Sequence, residues 1–290
     1  MRDWQLPRLQ AELALLLPDI TLQALEEVGS TNTELLERAR QNAGSALLVA
    51  ERQTQGRGRQ GRSWLSEPGA SLAFSVSLPL APKTWDGLSL VVGWSLAQAL
   101  QPWGPQGQAP EHQARLMLKW PNDLWLLQPQ ALVSEGRKLG GILIETTAAA
   151  ASAPPQGHPA TQRQVVVGVG LNVRELQHDA DGNSALYSQG RASISQWQPQ
   201  ADAVQVLHQV AMPLVQALLN FQAQGFEPFR RAYEQRDLLR GQRVQTQVTG
   251  AAQRAQEGVC QGYDESGALL LQTSDGVQRI RSGEVSIRPI

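Results

Sequence analysis

The chain has 290 residues, enough for one large domain or about two of ordinary size, and its 41% of hydrophobic residues supports a real core. The formal net charge of −1 argues against general binding to nucleic acid or to a membrane surface. A single cysteine, Cys260, excludes an internal disulfide, no apolar run approaches the ~20 residues of a membrane span, and no signal-peptide pattern follows Met1, so a soluble cytoplasmic protein is expected.

Leu6 to Leu17 reads as a short helix stopped by Pro18, too little for an independent DNA-reading domain. Leu22 to Val28 reads as a strand. In Gly29-Ser-Thr-Asn-Thr-Glu34, Thr31 and Glu34 have the spacing of a capping box, and Leu35, Leu36 and Ala39 form the buried face of the helix that follows. Ser30, Thr31 and Asn32 thus place hydroxyl and amide groups beside the free N–H groups of a helix start. That suits capping alone, and it also suits a polar ligand.

A strand-like Ala46 to Ala50 leads into Gln53 to Trp64, a stretch with three glycines, three arginines and no acid. Glycine lets a backbone come close to a ligand, and arginine offers a planar fork of donors that fits carboxylate and phosphate. The stretch reads as a loop that closes over an anion, with a solvated loop or a nucleic-acid contact as competing readings. Gly56, Gly58 and Gly61 also satisfy G-x-G-x-x-G. That dinucleotide fingerprint must open a helix and be followed by an acid about 20 residues on. Here the period-2 alternation of Ser71 to Leu78 predicts another strand, and Ala81 stands near where the acid should be, so the reading is rejected.

In Leu88 to Leu100, Leu88, Val91, Val92, Ser95, Leu96 and Ala99 share one face, so the segment reads as a core helix, followed by a Pro/Gly/Gln-rich loop over 101–113. Arg115 to Trp120 is a short strand broken by Pro121-Asn-Asp123, with Leu124 to Leu127 resuming it. Lys119, Asn122 and Asp123 therefore fall at a strand end, where ligands tend to sit, although Pro-Asn-Asp is also an ordinary turn. Residues 128–135 read as a hairpin loop. In the strand from Arg137 to Glu145, Gly140 and Gly141 indicate close approach of a ligand or another backbone. Residues 148–164 are low in complexity and read as an exposed loop. Val165 to Val173 is a buried strand with Asn172 near its end, and 183–199 is irregular.

A long helix follows, with Val204, Leu207, Ala211, Leu214, Leu218 and Phe221 on one stripe. Glu227 to Leu239 reads as a second helix. Neither stripe holds ionisable groups, so both are expected to be scaffold. From Gly241 the texture changes to five short strands split by turn signals, a small β-barrel of about fifty residues. His112, His158, His178 and His208 lack zinc-ligand spacing, Cys260 reads as a packed thiol, and neither G-x-S-x-G nor a Walker A motif is present.

Five stretches, in order, resemble the catalytic core of the biotin protein ligases. They are Gly29-Ser-Thr-Asn32, the Gly-Arg loop at 53–64, Lys119-Trp-Pro-Asn-Asp123, Lys138-Leu-Gly-Gly-Ile-Leu-Ile-Glu145 and Val167-Gly-Val-Gly-Leu-Asn-Val173. The resemblance implies an α+β fold of the class II aminoacyl-tRNA-synthetase type, a mixed sheet with flanking helices, over residues 1–240. Residues 241–290 would be an SH3-like β-barrel. It implies an AMP-forming ligase that joins biotin to ATP as biotinyl-5′-AMP, with Mg²⁺ carried by the nucleotide, and then transfers biotin to a lysine of a biotin carboxyl carrier protein.

By the same resemblance Ser30, Thr31, Asn32 and Gln53 line the biotin site, and Arg57, Gly58 and Arg59 cover biotin and the adenylate. Lys138 bridges the biotin carboxylate and the α-phosphate, and Lys119, Asn122 and Asn172 contact ATP. Asp123 orients the acceptor lysine or accepts its proton. About twenty-five residues precede the matching region, too few for the winged-helix repressor domain of some relatives, so a monofunctional ligase without DNA binding is expected, with a homodimer left open. Two alternatives are a lipoate protein ligase, whose motifs differ, and a non-enzymatic nucleic-acid-binding module, which the near-neutral charge disfavours.

Overall fold

The computed structural model of the chain describes residues 2–41, 44–104, 108–109, 112–148, 162–175, 190–248, 255–281 and 285–289. Most of the expected loop at 148–164, part of those at 101–113 and 183–199, and both His158 and His178 lie outside the described residues.

Seven strands form one mixed sheet in the order β1-β2-β3-β7-β6-β5-β4. β1 (Thr21–Val28) runs parallel to β2 (Ala46–Gln53), joined through α2 (Thr31–Arg40). The remaining pairs are antiparallel: β3 (Ser71–Leu80), β4 (Arg115–Lys119), β5 (Asp123–Leu127), β6 (Arg137–Ala148) and β7 (Arg163–Asn172). The rejected dinucleotide reading is excluded by this order, because the glycine-arginine loop runs from β2 into an antiparallel strand rather than into a crossover helix.

The two faces of the sheet differ because side chains alternate along each strand. On one face Phe74, Val169 and Ile142 stand in a row across β3, β7 and β6. They pack with α3 (Leu88–Leu100) and α4 (Ala203–Gln224) into the main core. Each fully buried side chain of this kind contributes about 1.5–3 kcal/mol. On the other face the corresponding rows are Ser75–Gly168–Leu143 and Ala73–Gly170–Gly141. Small residues leave that face shallow in the middle. Beside it Leu35 and Leu36 of α2 pack on Ala46, Leu48 and Val166 in a separate small core.

Two helices end earlier than the sequence suggests. α1 is Leu6–Leu13, and the chain then turns tightly, Leu16 N–H bonding back to Leu13 O, before Pro18. α5 is Glu227–Gln235 rather than reaching Leu239. The next residues pair with the edge strand β4: Leu118 N–H donates to Arg236 O at 2.8 Å and Leu238 N–H to Leu118 O at 2.9 Å. Covering an open strand edge outweighs one more helical turn. It also buries Arg236 and Asp237, ionisable groups that fall just beyond the helix. The Arg236 guanidinium stacks 4.1 Å from the centre of a Trp103 ring and donates to Leu116 O, Gln98 Oε1 and Gln101 O.

From Arg243 an antiparallel sheet runs in the order β11-β10-β9-β8-β12. Its strands are β8 (Arg243–Val248), β9 (Glu257–Tyr263), β10 (Leu269–Thr273), β11 (Gly276–Ile280) and β12 (Val285–Pro289), close to the expected five. The β9–β10 turn docks on the larger sheet. Gly267, at φ +83°, adopts a conformation L side chains rarely accept, and a Cβ there would also press on Leu90 and Gly87. Its carbonyl accepts a hydrogen bond from Trp120 Nε1 at 3.2 Å.

Candidate active site

The site is built on the shallow face. At the start of α2 the N-cap is Ser30 rather than Thr31, its Oγ accepting from Thr33 N–H at 3.4 Å. The expected capping box therefore does not form. Glu34 instead pairs with Arg38 at 2.9 Å. Thr31 is thereby released from capping: its N–H and Oγ1 both donate to Gln53 Oε1, at 2.8 and 3.1 Å. Asn32 Nδ2 donates to Leu143 O at 3.2 Å and Glu145 Oε2 at 3.0 Å, while its Oδ1 accepts from Ser75 Oγ at 2.6 Å.

The floor explains why the sheet carries glycine here. A Cβ on Gly168 would collide with the Asn32 amide, and one on Gly170 with the Trp64 indole. The row Ser75–Gly168–Leu143 thus cradles Asn32, through the Ser75 hydroxyl and the Leu143 carbonyl, and the row Ala73–Gly170–Gly141 seats Trp64.

The glycine-arginine loop folds back on itself as a flap. Gly58 N–H donates to Arg62 O at 2.7 Å and Trp64 N–H to Gly56 O at 2.8 Å, with Gln60 (φ 57°) and Gly61 (φ 70°) making the reversal. Buried Trp64 anchors its far end. Arg59 reaches across to Asn122, Nη1 donating to Oδ1 at 3.2 Å, and Asn122 Nδ2 donates to Ile142 O at 2.9 Å. Arg57 Nη2 lies 3.7 Å from Glu145 Oε1. Burial lowers the Arg59 guanidinium from its ordinary value, Asp123 opposes that, and Arg62 adds to it. A cation already stripped of part of its water attracts an arriving anion more strongly.

Opposite the flap, Lys138 Nζ donates to Asp123 Oδ1 at 2.6 Å. Lys119 Nζ lies 4.2 Å from the centre of a Trp125 ring, a cation–π contact between two residues that line the cavity.

Eleven of the twelve residues singled out from sequence line one cavity: Ser30, Thr31, Asn32, Gln53, Arg57, Gly58, Arg59, Lys119, Asn122, Asp123 and Lys138. Asn172 is not among them. It is buried, with Nδ2 donating to Ala192 O at 3.0 Å and Lys138 O at 3.4 Å, so it stands behind the wall and props the backbone of Lys138. Sequence reasoning gave no role to Ser75 and Trp125, nor to Glu145 and Trp120, which it met only as members of the motifs. The glycines Gly168 and Gly170 were likewise quoted in a motif without their function as the floor, for which their period-2 spacing within a strand was the available signal.

Among the cavity's lining residues five are cationic and one is a carboxylate, Asp123. Such a cavity suits a polyanion at the flap end, and the amides and hydroxyls of Ser30 to Asn32 and Gln53 suit a compact polar group at the other. Among the described residues no group of three or more His, Cys, Asp or Glu side chains could hold a metal ion, and no helix is long and apolar enough to cross a membrane.

A family model described as the biotin/lipoate A/B protein ligase family matches residues 25–172, and one described as the biotin protein ligase C-terminal domain matches residues 241–288. The chain is 32% identical over 265 residues to a biotin–[acetyl-CoA-carboxylase] ligase of Paracoccus denitrificans, covering 90% of this chain and 98% of that one. It is 30% identical over 266 residues to the bifunctional ligase/repressor BirA of Salmonella typhimurium, covering 91% and 73%. Among solved structures, the biotin protein ligase of Aquifex aeolicus in complex with biotin and ATP superposes with a TM-score of 0.69 at 28% identity, covering 93% of this chain and 99% of that one.

Proposed function

The chain belongs to the biotin/lipoate A/B protein ligase family and is an ATP-dependent biotin protein ligase, and on that premise we propose how its residues divide the work. The reaction first joins the biotin carboxylate to the α-phosphorus of ATP, releasing pyrophosphate. A lysine amine then attacks the acyl carbon of biotinyl-5′-AMP and expels AMP. The barrier to the first step is largely electrostatic, since an anion must approach a polyanion.

Ser30, Thr31, Asn32 and Gln53 take the ureido head of biotin, which presents both N–H donors and a carbonyl acceptor. Arg57, Gly58 and Arg59 close over the adenylate, with Arg59 at the reacting carboxylate and α-phosphate. Lys138 bridges the same two groups and Asp123 receives the acceptor lysine. Lys119 and Asn122 contact the nucleotide. Asn172 acts as a positioning residue through the Lys138 backbone. The observation that carries this assignment is that the polar slot of Thr31, Asn32 and Gln53 opens into the same cavity as Arg59 and Lys138.

Mg²⁺ is expected to enter with the nucleotide, because the cavity offers cationic side chains and a single carboxylate. Bound there it would offset triphosphate charge. Residues 1–240 would carry the catalysis and 241–290 would buttress it through the Gly267–Trp120 contact. The carrier domain of a biotin-dependent carboxylase is the proposed acceptor and the cytoplasm the proposed location. Biotin-dependent exchange of pyrophosphate into ATP tests the reading. Exchange should require biotin and fail with lipoate; lipoate-dependent exchange would reverse the substrate assignment.

A further inference from the structure

We propose that Glu145 is a positioning residue that ties the head-group slot to closure of the arginine flap. The inference rests on the reading that the slot holds biotin and the flap retains the adenylate. Glu145 lies on β6, on the same face as Gly141 and Leu143, just outside the cavity lining. Its two carboxylate oxygens serve different elements. Oε2 accepts from Asn32 Nδ2 at 3.0 Å, and Oε1 faces Arg57 Nη2 at 3.7 Å.

The two contacts differ in kind. Asn32 is 3% exposed, and both faces of its amide are engaged, by Leu143 O and Glu145 on one side and Ser75 on the other. A charge-assisted hydrogen bond to a buried amide is strong and fixes the slot. The Arg57 side chain is 52% exposed and the Glu145 side chain 24%, so their long ion pair is weak and screened by salt. That combination suits a flap that must open for substrates and for the acceptor lysine. With the flap closed, Arg57 neutralises Glu145. With it open, an uncovered carboxylate stands beside a cavity meant for anions, and this favours reclosing.

Glu145→Gln keeps the side-chain length and an oxygen for Asn32 but removes the charge that Arg57 sees. Glu145→Ala removes both contacts. Biotinyl-5′-AMP is formed on the enzyme and its escape into solution is followed at low and high salt. In the wild type, escape should quicken with salt. In Glu145→Gln a neutral hydrogen bond to Asn32 replaces the charge-assisted one, so biotin affinity should fall by no more than about fivefold, escape at low salt should be up to about fivefold faster, and its salt dependence should shrink. Glu145→Ala should in addition weaken biotin binding by about tenfold or more. The double variant of Glu145→Gln with Arg57→Gln should release the adenylate no faster than Arg57→Gln alone.

Wild-type escape rates in Glu145→Gln, or additive effects in the double variant, overturn the inference while leaving the ligase reading in place. A wild-type enzyme that forms no adenylate overturns the ligase reading and this inference with it.

Discussion

Lys138 Nζ sits 2.6 Å from Asp123 Oδ1, and Asp123 faces Lys119 across the β4–β5 hairpin and Gly141 on β6. In the proposed assignment this one carboxylate holds the lysine that meets both anionic reactants and also receives the incoming acceptor lysine. Replacing Asp123 by Asn keeps the hydrogen-bonding shape and removes the charge. Adenylate formation should then fall by no more than about tenfold, while transfer to the acceptor lysine falls by about a hundredfold or more. Single-turnover measurement of the two half-reactions separates these effects. Equal losses in both would reduce Asp123 to an anchor for Lys138.

Arg59 is the flap residue that bridges to Asn122 on the opposite wall. Arg59→Ala should slow biotin-dependent pyrophosphate exchange by about 10²–10³-fold, the usual cost of losing one stabilising donor at a reacting anion. Arg59 belongs to a loop outside the core, so the melting temperature should stay within about 2 °C of wild type. Exchange at a near-normal rate in this variant would remove Arg59 from the reaction.

Gly168 is required by the Asn32 amide lying over it, not by its backbone angles. Gly168→Ala should displace Asn32 and weaken biotin binding, with a stability loss of about 1–3 kcal/mol from overpacking. Gly29→Ala is the control, because no atom lies within 4 Å of a Cβ placed there. Calorimetric titration of biotin into both proteins decides the matter; equal affinities would mean that the floor can relax around the extra methyl.

Asp237 makes stability depend on pH. Burial pushes its carboxyl up from 3.8 to about 7, against the opposing hydrogen bond from Leu239 N–H. Tyr263, Glu234, Arg240, Cys260 and Tyr233 face the same pocket. Between pH 4 and 7 the folded protein therefore holds a proton that the unfolded chain has released, and stability falls as pH rises through that window. The difference of about 3 units corresponds to a loss on the order of 4 kcal/mol. Arg236, lowered to about 9, and Cys260, raised to about 12, titrate outside the window. Urea unfolding at pH 5 and pH 8 should show a lower midpoint at pH 8, and Asp237→Asn should flatten the difference. An unchanged slope in that variant would assign it to other groups.

The elements with a clear period were legible in the chain. α3 spans Leu88–Leu100, as its apolar face indicated, and the five C-terminal strands fall within one residue or two of their turn signals. Helix ends were less legible. α5 stops at Gln235 because the backbone of β4 needs partners from Arg236 and Leu238, a demand made by a strand over a hundred residues earlier. The place of Asn172 was hidden for a similar reason: near the end of a buried strand it reads as readily as an edge asparagine as a ligand group, the resemblance assigned it to ATP, and in the structure its amide is taken up by Ala192 and Lys138.

The five short motifs, through the family they resemble, pointed to side chains that share one cavity, and the excess of positive charge there was legible because charge is a property of the residues themselves. Only the folded sheet decided how they meet. Register places Ser75, Gly168 and Leu143 in one row beneath Asn32, and it sets Glu145 between that slot and Arg57. Such neighbours arise from pairing between strands far apart in the chain, and each depends on contacts that no local pattern encodes.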